Sequence, residues 1–148
     1  MNKRTISLWL SAALLAPCVA GAQDAAAPTV AAGDTGTVIF FREKKIVGAA
    51  IRYKVRENEV ELCKLGSGTF CTVQASAGPH KYDVHTEASD QLTVDVKPGQ
   101  TYYVVGAISM GAFAGHPKLT VTDKATFDGM KGKLKDNTGK DLKTGGDK

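Results

Sequence analysis

The residues of this chain whose types could do chemistry are three histidines and one carboxylate close to them. Asp83 lies two positions before His85, so on a strand the two side chains share a face, as when a carboxylate orients a catalytic imidazole. His80 and His85 are five positions apart and point to opposite faces, so they cannot chelate one ion together. His116 stands alone before Pro117. Because no nucleophile accompanies the Asp83 and His85 pair, we predict no catalytic residue and no metal site.

Other motifs of enzyme chemistry are missing from the sequence. No segment matches a P-loop, a zinc-protease helix or an EF-hand loop. Gly66-Ser67-Gly68 places glycines directly beside the serine, whereas a nucleophile elbow requires them two positions away. We therefore expect a protein that is not an enzyme and needs no cofactor, and we interpret Gly66–Gly68 as a turn.

Two cysteines flank this turn symmetrically. Cys63 and Cys71 each lie four positions from Ser67, and a three-residue hairpin loop would place them directly opposite each other. The spacing is neither the C-x-x-C of a redox pair nor that of a metal site, so we predict a structural disulfide. The same register places Lys64 opposite Phe70 on the buried side, which leaves a bulge or a different loop length open.

The first 22 residues are typical of a secretory signal peptide. A basic start is followed by an apolar run from 6 to 16 and by Ala20-Gly21-Ala22, a pattern that signal peptidase cleaves. The run is too short for a membrane span, which takes about 20 apolar residues, and Pro17 interrupts it. We expect a periplasmic or secreted protein, in which no other segment is apolar enough to span a membrane.

Cys18 supports an alternative location, because residues 15–18 are Leu-Ala-Pro-Cys and loosely resemble the lipobox of bacterial lipoproteins. Proline stands where that motif has glycine or alanine, so we favour a free exported protein over one that is lipid-anchored at Cys18. Cleavage after residue 22 removes Lys3 and Arg4 and no acid, which lowers the net charge from +4 to +2. So mild a balance argues against nucleic acid as a partner.

A length of 148 residues allows one globular domain. Residues 23–34 are mostly small or polar and predict a flexible leader. Residues 136–148 offer nothing to bury and predict a disordered tail. We therefore expect the single domain over residues 35–135.

Short β-prone runs alternate with Gly-Pro or Pro-Gly turns over residues 69–108, which is typical of an antiparallel meander. Thr37–Phe41 is a continuous apolar run and predicts a central strand that is covered on both faces. Thr122 is the expected cap of one C-terminal helix. The apolar stripe of this helix consists of Phe127, Met130 and Leu134. We predict a mainly β protein, an antiparallel β-sandwich of about seven or eight strands with one C-terminal α-helix.

Residues 51–56 alternate between apolar and basic side chains and predict a half-buried strand. A turn at Glu57-Asn58 would place Arg56 opposite Glu59, Val55 opposite Val60, Lys54 opposite Glu61 and Tyr53 opposite Leu62. The basic face is a candidate surface for an anionic ligand of the cell envelope, and it consists of Arg52, Lys54 and Arg56. Because carboxylates on the neighbouring strand neutralise two of these cations, we favour an ordinary solvated face.

Two further surfaces are candidates for binding. One is the turn at Ser67. The other is the segment 109–117, whose glycines suit either a bend or a loop that approaches a ligand. Its candidate side chains are Met110, Phe113 and His116. We favour a plain bend.

Four groups of residues resemble a family of bacterial exported proteins known as domain of unknown function 2846. They are Gly36–Arg42 with Gly48–Ala50, Gly66–Phe70 with Ala77–His80, Pro98–Val104, and Ala125–Lys131. The resemblance implies an envelope-associated β-domain without catalytic chemistry. A more distant resemblance in architecture, to transthyretin-like and PEGA-type sandwich modules, implies a role in binding or spacing.

These observations predict an exported, non-enzymatic binding or structural module of the bacterial cell envelope. Its partner would be an envelope component or a secreted protein. The alternative from another class is an inhibitor or stress-protective partner of a secreted enzyme. In that case the Gly66–Gly68 turn or the 109–117 segment would act as the plug.

Overall fold

The computed structural model describes residues 33–86, 88–110 and 115–140. Within these ranges the chain forms nine strands and one helix, and the protein is mainly β as the sequence predicts. The elements are β1 (Thr35–Arg42), β2 (Tyr53–Glu57), β3 (Val60–Leu65), β4 (Thr69–Ser76), β5 (Gly78–His85), β6 (Ser89–Val96), β7 (Thr101–Met110), β8 (Gly115–Thr122), α1 (Lys124–Lys131) and β9 (Lys135–Asp136). The predicted signal peptide, Cys18 and Phe113 lie outside the described residues.

The strands form two sheets that pack as a sandwich. The five-stranded sheet has the order β8-β7-β1-β4-β9, and the four-stranded sheet has the order β3-β2-β5-β6. Most neighbours are antiparallel, but β1 pairs with β7 in parallel, and β4 pairs with β9 in parallel. The chain leaves the five-stranded sheet after β4, forms part of the four-stranded sheet and then returns as β7. Because β7 runs beside β1 in the same direction as β1, the two strands pair in parallel. The sequence did not predict these two parallel pairs.

The core lies between the inner faces of the two sheets. Val38, Phe40 and Val104 contribute from one sheet, and Tyr82 and Val84 from the other. The rings of Phe40 and Tyr82 meet edge to face, with their centroids 4.9 Å apart. The neighbouring side chains on β1 point alternately to the two faces, and the strand lies in the middle of its sheet. The predicted central strand is thus confirmed.

The helix α1 covers the outer face of the five-stranded sheet. Its buried residue, Phe127, packs against the rings of Phe41, Phe70 and Tyr103. The N-cap is Asp123, whose carboxylate accepts a hydrogen bond from the backbone N–H of Thr126 at 2.7 Å. The predicted cap at Thr122 is therefore one residue too early. Thr122 is instead the last residue of β8.

The predicted disulfide is present, but it does not join the two strands of one hairpin. Cys63 and Cys71 have their sulfur atoms 2.01 Å apart and are buried in the core. Cys63 lies on β3 of the four-stranded sheet, and Cys71 lies on β4 of the five-stranded sheet. The bridge therefore connects the two layers of the sandwich. Because β3 and β4 do not pair, the expected conflict between Lys64 and Phe70 does not arise.

The hairpin of β2 and β3 forms in a register that differs from the predicted one. Its turn is at Asn58-Glu59, where both residues have left-handed φ angles of 48° and 68°. Two such residues make the type I′ turn that matches the twist of paired strands, and asparagine tolerates this conformation well. The observed partners are Glu57 with Val60, Arg56 with Glu61, Val55 with Cys63 and Tyr53 with Leu65. The four predicted pairs are wrong, because the turn lies one residue later and a bulge follows it.

The predicted bend over 109–117 is mostly strand. β7 continues to Met110 and β8 begins at Gly115, so the two strands form a hairpin around residues 111–114, which lie outside the described ranges. Pro117 pairs with Ile108 inside this ladder. Among the described residues, no helix has both the length and the apolar character to cross a membrane.

Candidate functional site

Four basic residues from distant parts of the chain line one cleft at the surface. Arg52 precedes β2, Lys64 is on β3, Lys135 is on β9 and Lys140 follows β9. The cleft has a volume of about 250 Å³. Its other lining residues are Ala49, Gly66, Ser67, Thr69, Asp136 and Asn137. We refer to this site as the basic cleft.

The wall that carries Lys135 and Lys140 is held by backbone hydrogen bonds. The N–H of Lys135 donates to the carbonyl of Gly68 at 2.9 Å, and the N–H of Asn137 donates to the carbonyl of Phe70 at 2.8 Å. The side-chain amide of Asn137 donates to the carbonyl of Lys64 at 2.8 Å. Residues 136–140 are thus tied to β3 and β4, and the boundary predicted at residue 135 is too early. A polar segment can be ordered without burial when a sheet edge supplies its hydrogen bonds.

The basic cleft contains one carboxylate, that of Asp136, and this group is hydrogen-bonded within its own turn. Asp136 accepts hydrogen bonds from the backbone N–H of Thr138 at 2.8 Å and from the hydroxyl of the same residue at 2.6 Å. These bonds lower the pKa of Asp136 below its usual value, with the side-chain bond as the largest cause. Within the described residues, Arg52, Lys64 and Lys135 form no ion pair, and Lys140 donates only to the backbone carbonyl of Asp136. The cleft therefore keeps an excess of positive charge.

An exposed apolar tip adjoins the basic cleft. The loop between β1 and β2 carries Ile46, whose surface is 96% exposed, and Val47, which is 62% exposed. A second and wider opening, with a volume of about 500 Å³, lies between this tip and the cleft. It is lined by Lys44, Lys45, Ile46, Ala49 and Ser67, and it shares the last two with the basic cleft. We call Ile46 and Val47 the apolar tip.

Arg42 holds this loop in place from below. Its side chain is 3% exposed, and its two terminal nitrogens donate to the carbonyls of Ile51 at 2.6 Å and Gly48 at 2.7 Å. The guanidinium carbon lies 5.6 Å from the centre of the Tyr53 ring, which is cation–π distance. Burial lowers the pKa of Arg42 from its usual value. Gly48 has a φ angle of 72°, which residues with a side chain rarely adopt.

Ser67 fastens the other side of the loop. Its hydroxyl donates to the carbonyl of Lys45 at 2.9 Å and accepts from the N–H of the same residue at 3.0 Å. The predicted binding residue Ser67 therefore lines the cleft, but its hydroxyl is occupied by the loop. Together with Arg42 it gives the apolar tip a fixed shape.

The predicted basic strand face is only partly used. Arg52 lies in the basic cleft. Lys54 forms an ion pair with Glu61, and Arg56 lies between Glu61 and Asp83 on the neighbouring strands. One of the three cations, Lys54, thus has a carboxylate partner, whereas Glu61 and Asp83 beside Arg56 are paired with Lys54 and His85.

The second predicted surface is less well defined. His116 is exposed on β8 opposite Ser109. Phe113 and the side chain of Met110 lie outside the described residues. His116 does not line the basic cleft.

The acid and histidine pair singled out in the sequence is formed. The Nε2 atom of His85 lies 2.8 Å from a carboxylate oxygen of Asp83 on β5, an interior strand of the four-stranded sheet. Sequence reasoning missed a second pair, in which Nδ1 of His80 lies 2.6 Å from the Glu57 carboxylate. The hydroxyl of Ser76 is 3.4 Å from Nε2 of the same imidazole, which has the outline of a catalytic triad.

In this arrangement His80 cannot act as a general base that removes the proton from the Ser76 hydroxyl. Nε2 of His80 also lies 2.8 Å from the backbone carbonyl of Ser76, which can only accept a hydrogen bond. Nε2 must therefore carry a proton in this geometry and cannot take one from the hydroxyl. We interpret the contacts of His80 as a link between the β2 hairpin and the end of β4. No group of three or more potential metal ligands occurs in the described ranges.

Neither the family models nor the curated proteins provide a relative of this chain. No family model matches this chain. A search of curated proteins also found no match. The resemblance to domain of unknown function 2846 and to transthyretin-like modules stays a prediction, and the candidate site stands on its geometry.

Proposed function

We propose that this protein is an exported, non-enzymatic module of the bacterial cell envelope and that its basic cleft binds an anionic group of an envelope component. The observation that carries the proposal is the composition of the cleft. Four cations surround about 250 Å³ of space, and the one carboxylate there is bonded to Thr138.

A cluster of like charges without counter-charges destabilises the folded protein by mutual repulsion, and an anion in the cleft would offset that cost. The chemistry of the donors suits phosphate or carboxylate groups. Arg52 offers a planar fork that can contact two oxygens at once, and the lysines act as point charges. Hydrophobic ligands are not favoured by these walls.

The first test is an NMR titration of the exported chain with inorganic phosphate. We expect the backbone amide signals of residues 64–69 and 135–140 to shift in a saturable manner. The Lys64→Ala/Lys135→Ala double variant removes two cations from the cleft and should weaken binding about tenfold or more, since each charge-assisted contact contributes about 1.5–3 kcal/mol before solvent screening. Lys135 is exposed, so the effect of its removal should lie at the lower end of this range.

The matched control is the Lys81→Ala/Lys118→Ala double variant. It changes the net charge equally but removes exposed lysines from β5 and β8, outside the cleft. The proposal requires that this control binds phosphate as well as the unmodified chain does. Equal weakening in both double variants would mean that phosphate responds to overall charge, and the proposed site would be wrong.

The inhibitor alternative receives no support from the Gly66–Gly68 turn. Gly66 and Gly68 are buried, and Ser67 is bonded to Lys45, so this turn does not project as a plug. Residues 111–114, within the other predicted plug, lie outside the described residues. An inhibitory role therefore stays a prediction, which co-purification of a stoichiometric secreted enzyme would support.

A further inference from the structure

We propose that the apolar tip docks this end of the protein on the surface of an anionic lipid bilayer. Ile46 and Val47 would enter the headgroup region, while the surrounding cations contact lipid phosphates. This inference rests on the proposed function, because the basic cleft supplies the contacts with phosphate. It identifies the ligand as an anionic lipid, and it adds an apolar contact that inorganic phosphate cannot make.

The first argument is the exposure of the tip. Four large aliphatic side chains are exposed in the described residues, namely Ile46, Val47, Val60 and Val121. Two of them are adjacent on one loop, and Ile46 is almost entirely in contact with water. Transfer of one such side chain from water into an apolar phase increases partitioning by about tenfold or more. The loop is therefore the place where the described surface gains most from an apolar environment.

The second argument is the charge around the tip. The opening lined by Ile46 shares lining residues with two others, and the three linings together contain seven basic side chains and two carboxylates. One of the carboxylates, Glu43, is paired with Lys45. The basic residues are Lys44, Lys45, Arg52, Lys64, Lys133, Lys135 and Lys140, and the acidic ones are Glu43 and Asp136. Each basic residue near an anionic bilayer strengthens binding by about fivefold. Exposed aliphatic side chains next to an excess of cations can combine apolar burial with electrostatic attraction to anionic lipids, which are the two contributions that bind proteins to such a surface.

The third argument is that the tip is already shaped for contact. Arg42 holds the carbonyls of Gly48 and Ile51, and Ser67 holds Lys45 from the other side. Hydrogen bonds from Ala49 to the Ile46 carbonyl and from Ile51 to the Gly48 carbonyl close two successive turns. A loop fixed in this way loses little conformational entropy when it binds. The hydrogen bonds thus keep the side chains of Ile46 and Val47 exposed, where a membrane surface can contact them.

Val60 provides an internal control. It is 62% exposed, as Val47 is, but it lies on the β2 hairpin between Glu59 and Glu61. An anionic surface should repel this site while it attracts the tip. The two valines therefore separate membrane docking from simple hydrophobic adsorption.

The experiment places a fluorescent reporter at each site in the exported chain. Trp9, the chain's single tryptophan, belongs to the predicted signal peptide and is removed with it, so the tryptophan introduced as Val47→Trp or Val60→Trp is the reporter in the exported chain. The probes are vesicles of phosphatidylglycerol mixed with phosphatidylcholine, and vesicles of phosphatidylcholine alone. We expect the emission of the Val47→Trp protein to shift to the blue with the anionic vesicles only. The emission of the Val60→Trp protein should not shift with either kind of vesicle.

A second pair of variants measures affinity by vesicle flotation. Ile46→Ser/Val47→Ser should lower binding to anionic vesicles by about tenfold or more, and Val60→Ser should leave it unchanged. All three positions are exposed, so each of the four variants should keep the circular dichroism spectrum of the parent. No blue shift at position 47, an equal shift at position 60, or equal losses in both serine variants would overturn the inference.

The result with inorganic phosphate separates the two proposals. If phosphate binds in the basic cleft and vesicles do not bind, the docking inference is wrong and the proposed function stands. If neither binds, both are wrong. If the reporter at position 47 shifts with soluble envelope proteins but not with vesicles, the tip contacts a protein, and docking on a bilayer is overturned.

Discussion

The hydroxyl of Tyr53 occupies the space that a Cβ atom on Gly106 would take. Tyr53 lies on β2 and Gly106 on β7, so this contact sets the spacing of the two sheets at one point in the core. The hydroxyl is buried without a hydrogen-bond partner in the described residues, and burial raises the pKa of Tyr53 to about 12. Arg42 lies against the same ring and partly opposes that rise.

We therefore predict that Gly106→Ala destabilises the protein by about 1–3 kcal/mol, because the added methyl group overpacks the core. Tyr53→Phe alone should cost little, since the hydroxyl it removes has no partner to lose. Combining the two should recover most of the stability that Gly106→Ala loses. Urea unfolding of the four proteins measures these differences, and simple additivity of the two substitutions would show that the contact is not the cause.

The bridge between Cys63 and Cys71 should stabilise the sandwich by about 2–3 kcal/mol, as expected for a closed loop of this length. The Cys63→Ala/Cys71→Ala variant tests this by denaturant unfolding. A reductant should destabilise the unmodified chain and have no effect on the variant. Equal unfolding midpoints of the two oxidised proteins would contradict the role assigned to the bridge.

Arg42→Lys should cost about 1.5–3 kcal/mol, because lysine cannot hold the Gly48 and Ile51 carbonyls together. Amide hydrogen exchange at Ala49 and Ile51 should speed up more than exchange in β1. Arg56→Lys, a change on a strand surface, is the matched control and should leave both amides protected. Unchanged exchange in the Arg42 variant would mean that the loop is ordered without the guanidinium.

Asp123 should make the helix sensitive to acid. The backbone N–H of Thr126 is the largest cause that holds the pKa of this carboxyl below its ordinary value of 3.8. A carboxylate with a lowered pKa stabilises the fold above the unfolded value, and the effect is lost as the pH falls through the lower folded value. We predict that Asp123→Asn, which keeps a capping oxygen, loses less stability between pH 7 and pH 2 than the parent does. Thermal unfolding across this range measures the difference, and identical acid profiles would contradict the role of the charge.

The positions of several strands are predictable from the alternation of apolar and polar residues along the sequence. Strands with a clear apolar period, such as those around Val55 and Val94, were placed correctly, because period two defines a buried face. The register of the β2 hairpin was wrong, since the left-handed pair Asn58-Glu59 decides it and leaves no pattern in hydrophobicity. The two cysteines were paired correctly but assigned to one hairpin, because spacing alone does not show that the chain changes sheets between them.

The candidate site was only partly predictable. The sequence indicates Arg52 and Ser67 as binding residues, but it does not indicate Lys64, Lys135 and Lys140, because the pairing of β9 with β4 brings these lysines together. No pattern in a polar tail indicates such a pairing. The apolar tip did leave a signal, since two aliphatic residues directly follow Lys44-Lys45 in a segment without strand alternation.

Hydrogen exchange of residues 23–148 with and without phosphatidylglycerol vesicles tests the central claim most directly, because it reports on all parts of the surface at once. The account predicts slower amide exchange in residues 44–52, 64–69 and 135–140, and unchanged exchange in the acidic hairpin at 57–61. Protection of that hairpin, or no protection at the basic cleft and the apolar tip, would contradict it.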